Sequence, residues 1–318
     1  MEYVISIVNI VLPIFLIILL GLFLKRINFI DNNFVEQISK FVFNISLPVL
    51  VFIKLANVKI TAAFDAELIS ASLILTFVFF LFSWMLASLI TKTPEDKGAF
   101  IQGSFRSNYA IVGLAIISGL VDDIHFAKAV LLLAFMVPLF NVLAVIALTV
   151  PLHQASNNRL IKSLKEILRN PIIISAYLAI PFTIFDIELP PAINITLQHL
   201  GKVALPLALL GIGASINVKK IFVASPLSFV AAANKIILFP LVTVIVAVFL
   251  EFTQQDILIL YVAMGSPTAI ASFVMAVGMK SNSKMASNII TISTLGAIIT
   301  ISAGLMILKF IGINFIMY

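Results

Sequence analysis

Apolar runs of about 17–25 residues, the length that carries an α-helix across the hydrocarbon layer of a bilayer, recur along this chain. They fall at roughly 4–24, 37–56, 68–90, 98–120, 126–150, 168–186, 191–216, 226–250, 256–278 and 286–313, with short polar loops between them. The pattern predicts an all-α integral membrane protein with about ten transmembrane helices. The second and seventh runs each contain polar residues and a proline, so their edges are the least sharp. The first run is longer than a signal-peptide core and follows Met-Glu rather than a basic stretch, and is therefore expected to be a retained span.

Composition agrees with lipid as the solvent. Of the 318 residues, 62% are hydrophobic and 11% charged, about half the charge of a soluble domain. The net charge of +6 does not indicate a nucleic-acid partner, because the basic residues sit in short loops between apolar runs. One set of alternate loops carries Lys25, Arg26, Lys92, Lys97, Arg159 and Lys162. The other carries Asp65, Asp122, Asp123, Asp186, Glu251 and Asp256. An even number of spans with that bias places the basic loops in the cytoplasm and both termini outside. Cysteine is absent, which excludes disulfides and thiolate metal sites. His125, His153 and His199 lack ligand spacing, so no metal is expected. No P-loop, triad or paired-carboxylate pattern occurs, which argues against an enzyme and against a cofactor.

The two halves resemble each other at an offset of about 160 residues. Lys40, Pro48 and Asn57-Val58-Lys59 recur as Lys202, Pro206 and Asn217-Val218-Lys219, and Gly103-Ser104 recurs as Gly265-Ser266. The organisation read from this is a first five-span repeat over 1–151, a cytoplasmic linker over 152–166 and a second repeat over 167–318. An odd number of spans per half inverts the second repeat, the plan of many secondary transporters, whose substrate sits near midplane at broken helices.

The fourth run contains Gly103-Ser104-Phe105-Arg106-Ser107-Asn108-Tyr109 and then Gly113; the ninth contains Gly265-Ser266-Pro267-Thr268 and then Ser272. Polar, Gly- or Pro-interrupted stretches at matching places point to a binding site. Pro267 frees backbone groups near Ser266, and N–H groups at a half-helix start attract anions. The alternative is small-residue packing with a simple kink. Arg106 lies about 12 Å inside its run at 1.5 Å per residue, and Lys235 is similarly deep in the eighth. An ionisable residue there suggests function; the alternative is snorkelling to the interface. No Asp or Glu falls well inside a run, so an anionic substrate would supply the missing negative charge. The same gap leaves the coupling ion, H+ or Na+, open. Lys40 and Lys202 read as interfacial anchors, and Gly211-Ile212-Gly213 as a packing site.

These residues together resemble the auxin efflux carrier family, which includes plant PIN proteins and bacterial permeases. Asn108 with Gly113 is similar to the Asn-x-x-x-x-Gly stretch of its fourth span, and Ser266-Pro267 with Phe273 and Ala276 to its ninth-span proline motif. Lys235 with Pro240 is similar to its eighth span, Asn44 to Pro48 to its second, and Arg169-Asn170-Pro171 to the start of its sixth. The likeness covers essentially the whole chain. It implies two inverted five-helix repeats with broken, crossing fourth and ninth helices. It further implies a scaffold from spans 1, 2, 6 and 7, and an elevator-like transport domain from spans 3–5 and 8–10. A homodimer, a bacterial inner-membrane location and organic-anion substrates such as malate or malonate are also implied. Ser107 and Ala115 stand where the plant pattern has proline, so the first break is expected to be softer.

The resulting expectation is a secondary carrier of small mono- or dicarboxylates. Asn108, Gly113, Pro267 and Thr268 shape the substrate site, Arg106 and Lys235 supply positive potential, and Ser272 and Asn44 are polar neighbours. Two rivals are a sodium-coupled organic-anion symporter of the bile-acid type and a membrane sensor that binds without transporting.

Overall fold

The computed structural model describes residues 2–153, 169–216, 222 and 224–313. Most of the expected linker, and the Asn217-Val218-Lys219 repeat element, lie outside the described residues. The architecture is all-helical, with no strand among the described residues beyond one isolated bridge between Ser107 and Thr268.

The helices, in order, are α1 (Glu2–Arg26), α2 (Asn32–Ala56), a short α3 (Ile60–Ala63), α4 (Ala66–Ile90), α5 (Pro94–Phe105), α6 (Leu114–Ile117) and α7 (Asp123–Thr149). After the midpoint come α8 (Pro171–Ile184), α9 (Pro191–Ser215), α10 (Pro226–Phe249), α11 (Gln254–Gly265), α12 (Ala271–Gly278) and α13 (Ser283–Phe310). Six of them, α2, α4, α7, α9, α10 and α13, are long and apolar enough to cross a membrane; α8 is a shorter apolar helix. Their outward faces carry exposed large apolar side chains such as Leu16, Ile74, Met85, Leu178, Leu241 and Ile299, as lipid contact requires.

Polar residues set where the helices begin. Asp31, Asp65, Thr93, Asp122, Asn170, Thr253 and Asn282 each accept a backbone N–H at a helix start, satisfying donors that a helix cannot satisfy internally. Prolines set where helices deform. The Leu47 N–H returns to the Val42 carbonyl ahead of Pro48, and the Phe239 N–H to the Asn234 carbonyl ahead of Pro240. Each is a five-residue π-helical stretch, Val42–Ser46 in α2 and Asn234–Leu238 in α10, absorbing the donor that proline lacks.

Packing follows two main groupings. The α1 helix lies most closely along α9, and α2 against α8 and the start of α9. At the α1–α9 crossing a Cβ on Gly213 would strike the Ile18 carbonyl, and one on Gly21 the Leu210 carbonyl, so Gly213 acts in packing as its sequence context suggests. In the other grouping α5 packs on α4, α7, α10 and α13, with α11 against α10 and α12 against α13. A ring series, Phe239–Phe79 and Phe105–Phe80–Trp84, joins α4 to α5 and α10.

Candidate functional site

The chain breaks helix twice, after α5 and after α11, and the two extended segments cross antiparallel. Arg106 and Ser266 are both extended, at φ −76°, ψ 113° and φ −59°, ψ 144°. The Asn108 N–H donates to the Pro267 carbonyl at 2.7 Å, and the Ala269 N–H to the Arg106 carbonyl at 3.2 Å. Backbone buried in lipid needs internal partners, and each segment serves as the other's. That explains why the first break forms without proline: antiparallel pairing with 267–269 supplies what Ser107 and Ala115 do not.

Side-chain hydroxyls complete the crossing. Thr268 Oγ1 donates to the Gly103 carbonyl at 2.7 Å, and Ser107 Oγ to the Ala263 carbonyl at 2.6 Å. Tyr109 opens the π-helical turn Tyr109–Gly113 and is anchored through its hydroxyl to the Ala129 carbonyl of α7 at 2.6 Å. Gly113 allows this turn to approach the other break, since a Cβ there would lie 2.9 Å from Ser266 Oγ.

Against the crossing lies a cavity of about 710 Å³. Its walls come from α2 (Val42, Asn44, Leu47), α7 (Leu133, Val137, Asn141), α8 (Ile172), α9 (Ala208, Ile212) and α12 (Val274, Met275), with Arg106 to Ile111 and Ala269 to Ala271 from the crossing. Glu36, Lys40 and Asn170 also line it, near the starts of α2 and α8. The walls are mostly apolar.

Arg106 is the distinctive group. It is 8% exposed, and with α5 starting at Pro94 it sits about 18 Å along from that helix's start. The 12 Å expected from the edge of the apolar run at residue 98 is unchanged, because the added length is the polar first turn with Glu95, Asp96 and Lys97. Its guanidinium donates to Asn141 Oδ1 at 2.7 Å and meets Met275 Sδ. Both partners are neutral. Lys40, in contrast, is paired with Glu36 at 2.7 Å.

Of the residues singled out in the sequence, Arg106, Asn108 and Asn44 line the cavity, with Asn44 Nδ2 bonded to the Lys40 carbonyl at 2.8 Å. Pro267, Thr268 and Gly113 build the crossing rather than the cavity wall. Ser272 is buried at the start of α12, and its hydroxyl has no partner among the described residues. Lys235 is fully buried and away from the cavity, its Nζ on the Met264 carbonyl. Lys40 lines the cavity, whereas its surroundings in the sequence suggested only an interfacial anchor. Asn141 and Met275 were missed; the signal for Asn141 was a lone amide within the apolar stretch of α7.

A second polar cluster lies at the far ends of α4, α7 and α11. Lys128 Nζ reaches Asp65 at 3.0 Å and Asp256 at 3.2 Å, and Thr253 Oγ1 donates to the other Asp256 oxygen at 2.6 Å. Asp256, a loop residue by sequence, is buried here. At Asp65 burial raises the carboxyl pKa, but the Leu68 N–H and Lys128 outweigh it, and the net shift is downward.

The sequence model of the family described as "Membrane transport protein" matches residues 6–304. The chain is also similar to the uncharacterized transporter YfdV of Escherichia coli K12, with 21% identity over 91% of this chain and 93% of that protein. The YfdV proteins of E. coli O157:H7 and Shigella flexneri match to the same extent. The chain is therefore a multi-pass membrane protein belonging to the membrane transport proteins of the auxin efflux carrier family.

Proposed function

We propose that this protein is a secondary carrier of small organic anions, and that the anion binds in the cavity against the crossing. The carrying observation is Arg106: a buried cation on the wall of an otherwise mostly apolar cavity, held by a neutral amide and a thioether and, among the described residues, by no carboxylate. A cation is expensive at that depth unless something offsets it, and a bound carboxylate does so through charge-assisted hydrogen bonds. Asn108 and the turn that follows it present the polar part of the wall, and Asn44 lines the opposite side. Charge balance favours one carboxylate over two, since Glu36 already neutralises Lys40.

Counting α1, the shorter α8 and the two broken pairs together with the six long helices gives about ten crossings, which supports two inverted five-span repeats. The packing of α1, α2, α8 and α9 as one group supports a scaffold, with the crossing carried by the other group in an elevator-like movement. The cavity borders the starts of α2 and α8, next to the basic loops, so this conformation is read as open to the cytoplasm, with both termini outside.

The test is uptake of radiolabelled malonate, malate and benzoate into proteoliposomes under imposed proton or sodium gradients. Saturable flux driven by one gradient is expected, with benzoate preferred over the dianions. Flux driven by sodium alone assigns the sodium-coupled symporter. Binding without flux under any gradient replaces the carrier reading with a sensor.

A further inference from the structure

At the crossing both α5 and α11 stop, and each leaves carbonyls whose usual donor, the N–H four residues on, is out of reach. In α5 the Gln102 carbonyl still receives the Arg106 N–H at 3.1 Å, and the Gly103 carbonyl receives the Thr268 hydroxyl. In α11 the Val262 carbonyl likewise receives the Ser266 N–H at 3.0 Å, and the next two carbonyls are those of Ala263 and Met264, four residues before Pro267 and Thr268. Pro267 has no N–H to give, so the Ser107 hydroxyl is taken up by Ala263. The Thr268 N–H is held by Ser293 Oγ at 3.1 Å. With no N–H on Pro267 and that of Thr268 committed to Ser293, the group that reaches the Met264 carbonyl is Lys235 Nζ.

Lys235 is placed for this by its own helix. It lies five residues before Pro240, in the π-helical stretch Asn234–Leu238, and such a stretch shifts the register of the side chains it carries. Its Nζ also lies 5.0 Å from the centre of the Phe239 ring. It makes no contact with the cavity, so it cannot meet an anion bound there.

We propose that Lys235 is a positioning residue that supplies the Met264 carbonyl with the donor it loses where Pro267 ends α11 and the Thr268 N–H turns to Ser293, and so holds the second break, and with it the start of α12, against the cavity. The asymmetry between the two breaks follows from this. Arg106 and Ser266 hold the same cap position, each with its N–H returned to its helix, so the next residue is Ser107, with an N–H, in the first break and Pro267, without one, in the second.

The test is a double-mutant cycle read by thermal unfolding of the full-length protein in detergent. Replacing a buried lysine with methionine ordinarily relieves desolvation and leaves stability equal or higher. Here Lys235→Met strands a buried carbonyl and is expected to lower Tm by about 3–6 °C, with Lys235→Gln in between because its amide still donates. In a Pro267→Ala background α11 can run on, the 267 N–H serving Ala263 and the Thr268 N–H serving Met264, so the same lysine substitutions should shift Tm by less than about 2 °C. An equal or higher Tm for Lys235→Met, or an equal loss in both backgrounds, overturns the proposal. If Lys235→Met alone cannot be recovered folded, recovery of the pair with Pro267→Ala reads the same coupling, and failure of the pair refutes it. Transport adds an arm that rests on the carrier reading above: Vmax falling about tenfold with KM within about threefold marks positioning. A raised KM with unchanged Vmax would instead make Lys235 an anion ligand. Absence of transport in the native protein bears on the carrier reading and leaves the stability cycle intact.

Discussion

Replacing Arg106 with methionine tests the site most directly, because methionine keeps much of the side-chain volume and removes the charge. In the native protein the guanidinium is held by Asn141 Oδ1 at 2.7 Å and by Met275, so its remaining N–H groups are available to a carboxylate. A hydrogen bond to a charged group contributes about 1.5–3 kcal/mol, which corresponds to a loss of roughly 10–150-fold in affinity. Arg106→Lys keeps the charge but not the planar fork that Asn141 and an anion share, and should fall between the two. The assay is equilibrium binding of radiolabelled benzoate and malonate to purified protein by scintillation proximity, at two salt concentrations. Lys92→Ala, in the loop before α5, is the control, and its affinity should stay within about twofold because loop charges are screened. Native affinity in Arg106→Met would remove Arg106 from the site. Equal losses in Arg106→Met and Lys92→Ala would replace the local site with a general surface potential.

Three further outcomes follow from the geometry. Asp65 caps α4 and pairs with Lys128, and its folded pKa is depressed; a depressed carboxyl stabilises above its unfolded value and loses that contribution as pH falls through the folded one. Asp65→Asn, which keeps the cap but not the charge facing Lys128, should therefore lower Tm by about 2–4 °C at pH 7. That loss persists down to about pH 4 and disappears as pH falls further through the depressed folded pKa, and a pH-independent loss would refute the linkage. Gly213→Ala places a Cβ against the Ile18 carbonyl and should destabilise by about 1–3 kcal/mol, read as a lower Tm, whereas Gly278→Ala, where nothing lies within 4 Å, should be neutral. Lys54 of α2 meets Asp123 of α7 at 2.6 Å; because the chain has no cysteine, Lys54→Cys with Asp123→Cys can be joined by a short bis-thiosulfonate. Transport should stop on cross-linking and return on reduction, and undiminished flux in the cross-linked protein would show that α2 and α7 do not separate.

The helical pattern was legible because a bilayer leaves few alternatives: a long apolar run must form a helix to satisfy its own backbone. The expected runs therefore fall on the observed helices with only small shifts at their ends, largest where a polar cap such as Thr93-Pro94 starts a helix before its apolar stretch. The two breaks were legible from Pro267, Gly103 and Gly265, and from the polar residues beside them. Partnership was not. Nothing in sequence spacing says that Ser107 serves Ala263 or that Lys235 serves Met264, since these bonds join helices far apart in the chain. Depth also misled, because a lysine buried against a carbonyl and an arginine facing a cavity look alike by hydropathy. Only the position of each side chain relative to the crossing separates them.

The distribution of polar bonds also indicates where movement is cheap. The crossing is tied to its surroundings from several directions: to α7 through Tyr109 and Arg106, to α10 through Lys235, and to α13 through Ser293. Breaking any of these would strand a buried polar group, which costs more than the bond itself contributes. The group of helices around the crossing should therefore move as a unit or not at all. On the other side, α1 and α9 meet backbone to backbone at Gly21 and Gly213, a fit that sliding would destroy. Between the two lies the cavity wall, where apolar side chains of α2, α8 and α9 face those of α7 and α12 and can exchange partners without leaving a polar group bare. Lys54 with Asp123 spans that boundary at the ends of the helices away from Lys40 and Asn170. Its partly exposed ions can be taken up by water when the pair opens. A carrier working by displacement of one helical group against another would separate along this surface, with the anion on Arg106 carried by the rigid side.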